Sequence, residues 1–243
     1  MASIKVAIKP KNNFCSSDSE TLYLKNLKTM PNNWIWRTKP VTYTVNAQGF
    51  RAPEWNKIDW DNSILIFGCS FVYGLGIDDK DTCSNKIYES TFVKTINLGI
   101  PGGSPMSQWV NSTILRHEGI NPKGVVYVWP FHHRTVELLP NTKCVHYGPY
   151  SDITDFNHAW SNHTSHGLEY LRYCVYNTSL LWSCPVLHYH LQEDVCNVIP
   201  EIKHLQTIDK ARDCNNDAAH PGPLTHMMWA DIMISDLETY IEL

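Results

Sequence analysis

The hydrophobic pattern is weak at the N-terminus and sharpens after residue 62. Ile64-Leu65-Ile66-Phe67 is an unbroken apolar run, the signature of a strand covered on both faces of a parallel sheet. It stops at Gly68-Cys69-Ser70, and glycines return at Gly74 and Gly76. The stretch "DDKDTCSNKIYEST" then predicts a helix with Cys83, Ile87 and Ser90 on one face. A second strand is expected from Phe92 to Leu98, ending in "NLGIPGGSP". In "SPMSQWVNSTILRHEGI", Ser104 is placed as an N-cap and Pro105 at the first helical position. Met106, Trp109, Val110, Thr113, Ile114 and His117 follow at helical spacing. Val125 to Trp129 reads as a third strand and "PVLHYHL" as a fourth. Between them, "SHGLEYLRYCVYNTSLLW" predicts a helix with Leu168, Leu171, Val175 and Ser179 inward. A further element is expected within 198–209, and a final helix carries Leu224, Met228, Ile232 and Leu237 as its apolar face.

Strand–helix alternation of this kind predicts a three-layer α/β/α sandwich, flavodoxin-like, on a parallel sheet of about five strands. Right-handed crossovers bring the strand C-termini to one edge, where sites form. The turns at Gly68-Cys69-Ser70, Gly102-Gly103 and Trp129-Pro130-Phe131-His132 should therefore meet. Residues 1–61 read as an irregular aromatic lead-in packed on the main domain, 62–243. Within the lead-in, the alternation from Val41 to Val45 predicts an extended piece, followed by a turn at Asn46-Ala47-Gln48-Gly49. Residues 135–164 read as an irregular insertion rich in His and Asn.

Composition narrows the function. A 243-residue chain that is 43% hydrophobic can bury one sizeable core. Its net charge is −4, with basic residues scattered rather than clustered, so no nucleic-acid footprint is expected. No apolar run approaches the roughly 20 residues that span a bilayer, and "MASIKVAIKPKNNF" lacks the apolar stretch of a secretion signal. A cytoplasmic protein without a membrane partner is expected. Eight cysteines occur with no C-x-x-C pair, which in such a compartment predicts reduced thiols. The sequons at Asn111, Asn162 and Asn177 carry no weight there.

A hydroxyl held at a strand end raises the possibility of a nucleophile, which needs a base, a group to orient the base, and oxyanion donors. "ARDCNNDAAHPGPLTH" sets Asp217 three residues before His220, side by side within one turn. Pro221 and Pro223 stiffen that loop. Asp213 is the rival acid and His226 the rival base. Cys69 reads as a small buried hydrophobe.

These residues resemble the SGNH (GDSL-type) hydrolases over 62–243. Gly68 to Phe71, with Gly74 after it, is similar to their first block. "INLGIPGGS" resembles the second, and "DAAHPG" the closing Asp-x-x-His block. The form "GCSF" looks like the variant of SGNH-like proteins in phage genomes. The resemblance implies a cofactor-free ester hydrolase for a small-molecule or glycan ester. Ser70 would be the nucleophile, His220 the base, Asp217 the orienting acid, and the Ser70 and Gly102 N–H groups the oxyanion donors. It also allows a virion-borne location. Two departures stand out. Cys69 replaces the usual aspartate, which is not the triad acid. The third block's Asn, a side-chain oxyanion donor, has no counterpart in Trp129-Pro130-Phe131-His132-His133-Arg134. Loss of one such donor typically costs on the order of 10²–10³ in rate. Trp129, His132, His133 and Arg134 are the candidates to replace it and to line the substrate pocket.

Two other classes follow from the same residues. The missing Asn fits a catalytically silent SGNH-like binding module. The histidines, with His188 and His190 at i, i+2 and others at 132, 133, 146, 158, 163 and 166, fit a metal-binding protein, although no spacing fixes which of them converge. Arg51 and Asn97 resemble family positions and read as structural.

Overall fold

The structure, a computed structural model, describes residues 20–38, 41, 43–138, 144–147, 164–212 and 220–243. Its centre is a five-stranded parallel sheet built from β1 (Ser63–Gly68), β2 (Lys94–Gly99), β3 (Gly124–Val128), β6 (Val186–His190) and β7 (Ile202–His204), in the order β2-β1-β3-β6-β7. Every residue of β1 and β3 is buried, which is why their sequences run apolar without alternation. Leu65, Phe67, Val125 and Tyr127 face one core, with Leu115, Leu171 and Val175. Ile64, Ile66, Val126 and Val128 face the other, with Val72, Ile87, Trp229 and Met233.

Helices cover both faces. On the first lie α4 (Pro105–His117), α5 (Thr164–Leu181) and α6 (Glu193–Val198). On the second lie α2 (Ser70–Tyr73), α3 (Cys83–Thr91) and α7 (Pro223–Leu237). The three-layer α/β/α reading of the sequence holds, and the element expected within 198–209 is the edge strand β7. Among the described residues, no helix is long and apolar enough to cross a membrane.

Several local expectations need correction. The second strand starts at Lys94 rather than Phe92, because Phe92 sits in the left-handed region (φ 60°) as the C-cap of α3. The segment after β3 is not wholly irregular: β4 (Thr135–Leu138) and β5 (Cys144–Tyr147) pair antiparallel. The lead-in contains a helix, α1 (Glu20–Thr29). On α4, Ser104 caps as expected, in a reciprocal box with Ser107. Its buried face, however, is Gln108, Asn111, Ser112 and Leu115, while Thr113 and His117 are exposed. That face is polar because the Ser112 hydroxyl meets the buried Tyr127 Oη at 2.7 Å. On α7 the buried stripe is Thr225, His226, Trp229, Ala230, Met233 and Leu237, and Leu224 is exposed.

Candidate active site

The C-terminal edge of the sheet gathers the three turns. Ser70 lies two residues past the end of β1, after the N-cap Cys69, and opens α2, a single helical turn. This turn lies close on the strand ends because Gly68 and Gly99 have no side chain. A Cβ on Gly68 would come within 2.2 Å of the Val72 side chain, and one on Gly99 within 2.4 Å of the Tyr73 nitrogen. The glycines of "SILIFGCSFVYGLGID" therefore have two uses. Gly68 lets the turn pack, and Gly74 closes it at φ 79°.

Ser70 and His220 meet. Ser70 Oγ lies 2.8 Å from His220 Nε2, although the residues are 150 apart in sequence. Both are buried, and the Phe71 ring packs edge-on against the imidazole at 5.2 Å. The His220 backbone is also fixed: its carbonyl accepts the Ala211 N–H at 2.7 Å, and Lys210 bridges Pro221. Below it, the Asp209 carboxylate accepts the Leu224 and Thr225 N–H groups at 3.0 and 2.8 Å and the Thr225 hydroxyl at 2.7 Å. Asp209 thus caps α7 from outside the helix, where the N-cap itself is Gly222 and offers no side chain. The sequence reading missed Asp209, since it contacts the helix from 15 residues upstream. The expected acid, Asp217, and its rival Asp213 lie outside the described residues.

The rival base is excluded by its environment. His226 is fully buried, and its Nδ1 accepts the Cys83 N–H at 3.0 Å, capping α3. Burial pushes its pKa down to about 3. Cys69 sits in the core at 1% exposure, as expected of a small hydrophobe.

Neither the Ser70 N–H nor the Gly102 N–H is engaged by a hydrogen bond among the described residues. Gly102 is in the left-handed region (φ 76°), and no atom lies within 4 Å of where its Cβ would be. The loop is closed by the Gly103 N–H on the Ile100 carbonyl at 2.8 Å.

The segment after β3 departs from expectation. Trp129 is not a pocket residue: it is 2% exposed, and its indole N–H donates to His188 Nδ1 at 3.1 Å. Its ring stacks on Tyr127 at 4.8 Å, and Tyr127 stacks on Phe67 at 5.0 Å. His188 in turn contacts Ser179 Oγ at 2.8 Å through Nε2. The indole is therefore unavailable as an oxyanion donor. His132 is buried with its backbone against Gly167 of α5, and Arg134 is buried over the Phe131 ring at 5.2 Å. His133 stacks on Phe131 at 5.5 Å, and Phe131 packs edge-on to Phe71 at 6.0 Å. Burial holds the His132 pKa below its ordinary value and brings His133 down to about 4, so both are neutral near pH 7. No group of three or more His, Cys, Asp or Glu side chains forms a metal-holding cluster among the described residues. Of the other histidines, 158 and 163 lie outside those residues.

No protein-family model matches the chain, and no curated protein matches it. Among solved structures, it is similar to a carbohydrate esterase family 2 enzyme with a carbohydrate-binding domain from Corynascus thermopiles (Myceliophthora fergusii). That likeness has 10% identity and a TM-score of 0.47, over 73% of this chain and 66% of that one. An acetyl xylan esterase from Butyrivibrio proteoclasticus is similar at 10% identity and TM-score 0.45, over 73% of this chain and 64% of that one. A lipolytic G-D-S-L family protein from Veillonella parvula is similar at 12% identity and TM-score 0.45, over 71% and 97%. The chain spans slightly less than two thirds of the length of the first two.

Proposed function

We propose that this chain is a serine ester hydrolase of SGNH type, removing an acetyl or short acyl group from a small-molecule or glycan ester. The observation that carries the reading is the 2.8 Å contact between Ser70 Oγ and His220 Nε2 at the C-terminal edge of a parallel sheet. The first, second and closing sequence blocks support it. In this reading Ser70 Oγ attacks the acyl carbon while His220 Nε2 takes its proton. The negative charge on the carbonyl oxygen is held by the Ser70 and Gly102 N–H groups. His220 then gives the proton to the departing alcohol, leaving an acyl-Ser70. Water attacks that ester, with His220 again as base, and Ser70 regains its proton as the acid departs. Asp217 has the role of holding the imidazole and stabilising its charged form; this assignment rests on its sequence position.

A second reading has its own observation. The Trp129 indole is committed to His188, so the buried tryptophan does not replace the third block's side-chain donor, and that role falls to His132, His133 or Arg134 or is unfilled. That favours a slow enzyme or a silent binding module.

Incubation with a fluorophosphonate followed by intact-mass analysis separates the two. Such reagents modify a serine activated by its surroundings. One adduct on the wild type, absent from Ser70→Ala and His220→Ala, is the expected result. No adduct on folded wild type replaces the hydrolase reading with the silent module.

A further inference from the structure

The helix that begins with Ser70 cannot hold itself. A helix leaves its last four carbonyls without helical partners, and α2 is only four residues long. One turn is also all nucleation cost and little propagation. The Ser70 and Phe71 carbonyls accept the Gly74 and Leu75 N–H groups that follow, and the last two carbonyls are taken from outside. Asn97 of β2 donates Nδ2 to the Val72 carbonyl at 2.8 Å. Arg51, from the segment before β1, donates Nη1 to the Tyr73 and Gly74 carbonyls at 3.1 and 2.8 Å, and Nη2 to the Ile77 carbonyl at 3.0 Å. The same guanidinium is buried and pairs Nε with Asp79 at 3.0 Å. It lies over the rings of Tyr43 and Tyr73 at 4.9 and 5.7 Å. Tyr43 Oη accepts the Gly76 N–H at 2.7 Å.

These contacts bear on one short stretch, 72–79, which runs from the end of the nucleophile's turn into the segment after it. A cation at a helix C-terminus also opposes the dipole of that turn favourably. From them we infer that Arg51 is a positioning residue for Ser70, fixing the one-turn helix that sets the direction of its Oγ and N–H. The inference rests on the Ser70 reading above. Lysine cannot replace it, because a point charge cannot reach three carbonyls in a planar fork.

The test compares wild type, Arg51→Lys, Arg51→Ala and Tyr43→Phe with Leu171→Ala, a core variant on the other face of the sheet. Two quantities are read well below each melting temperature: the rate of fluorophosphonate labelling at Ser70, and hydrogen exchange in peptides covering 68–78. Arg51→Ala and Arg51→Lys should label on the order of 10²-fold more slowly, the cost of misplacing a reacting group by about 1 Å. Faster exchange should be confined to 68–78. Tyr43→Phe should show the same loosening to a smaller degree, and it serves if Arg51→Ala does not fold. Leu171→Ala should lose melting temperature yet label at the wild-type rate. Wild-type labelling by Arg51→Lys, or unchanged exchange in 68–78, overturns the inference. If wild type itself does not label, the hydrolase reading falls and the exchange arm alone decides the positioning role.

Discussion

Trp129 and His188 act as one buried unit. The indole N–H fixes His188 with a proton on Nε2, which points to Ser179 Oγ. Trp129→Phe keeps the stacked ring and removes the donor, leaving His188 Nδ1 buried without a partner. An unmade buried hydrogen bond costs about 1–3 kcal/mol, so urea unfolding should show a loss of that size. Fluorophosphonate labelling of Trp129→Phe should stay at the wild-type rate, since the ring lies in the core. A large loss of labelling with no loss of stability would return Trp129 to the pocket. At this scale, Ser70, Gly102 and His220 were legible because each lies within two residues of a glycine or proline that marks a turn. Arg51 was singled out only as a structural residue and Asp209 not at all, since their partners lie 22 to 26 and 15 residues away along the chain.

Helix α7 carries His220's loop and depends on Asp209. Its first turn has N–H groups with no side-chain acceptor at the N-cap, which is Gly222, and a proline follows. An external carboxylate supplies what the cap lacks. Asp209→Ala should destabilise the fold by about 1–2 kcal/mol, the usual worth of a cap. Labelling at Ser70 should fall as well, because the strand pairing through Lys210, Ala211 and His220 loosens with it. Asp209→Asn should retain part of both. Unfolding curves and labelling rates check this, and an unchanged rate in a destabilised Asp209→Ala would confine its role to the helix. The same helix shows why its face was misread. Leu224, Met227, Met228, Ile232 and Ile234 are apolar alongside Trp229, Met233 and Leu237. A helix apolar nearly all round gives no stripe to choose. The Trp229 indole bonding the Gln206 carbonyl at 2.7 Å and the His226 contact with Cys83 select the buried side.

Across the whole molecule, buried imidazoles set the response to acid. Burial brings His188 and His190 to about 4 and His226 to about 3, from an ordinary value of 6.5. Between those values the unfolded chain binds protons that the folded chain refuses, so stability falls as pH drops through that window. Above the ordinary value these groups impose no penalty. The melting temperature should therefore decline steadily from near neutrality to about pH 4. His226→Gln, which can still accept the Cys83 N–H, should make the decline shallower. A flat profile in wild type would contradict the buried neutral histidines. Burial also raises the thiols of Cys83 and Cys174 to about 12, which keeps them unreactive toward mild alkylation in the folded state.

The sequence by itself determined the layers. Short unbroken apolar runs bounded by turn residues mark strands covered on both faces, and helical spacing between them marks right-handed crossovers that cover the sheet. It also marked the turns at Ser70, Gly102 and His220, because chain reversals need particular residues locally. Only the tertiary structure decided which polar groups serve which backbone. The meeting of Ser70 with His220, the clamp of Arg51 on the turn after Ser70, the cap from Asp209, and the withdrawal of Trp129 into the core all join residues distant in sequence. Those pairings follow from how buried polar groups find partners once the layers close, and no local pattern encodes that.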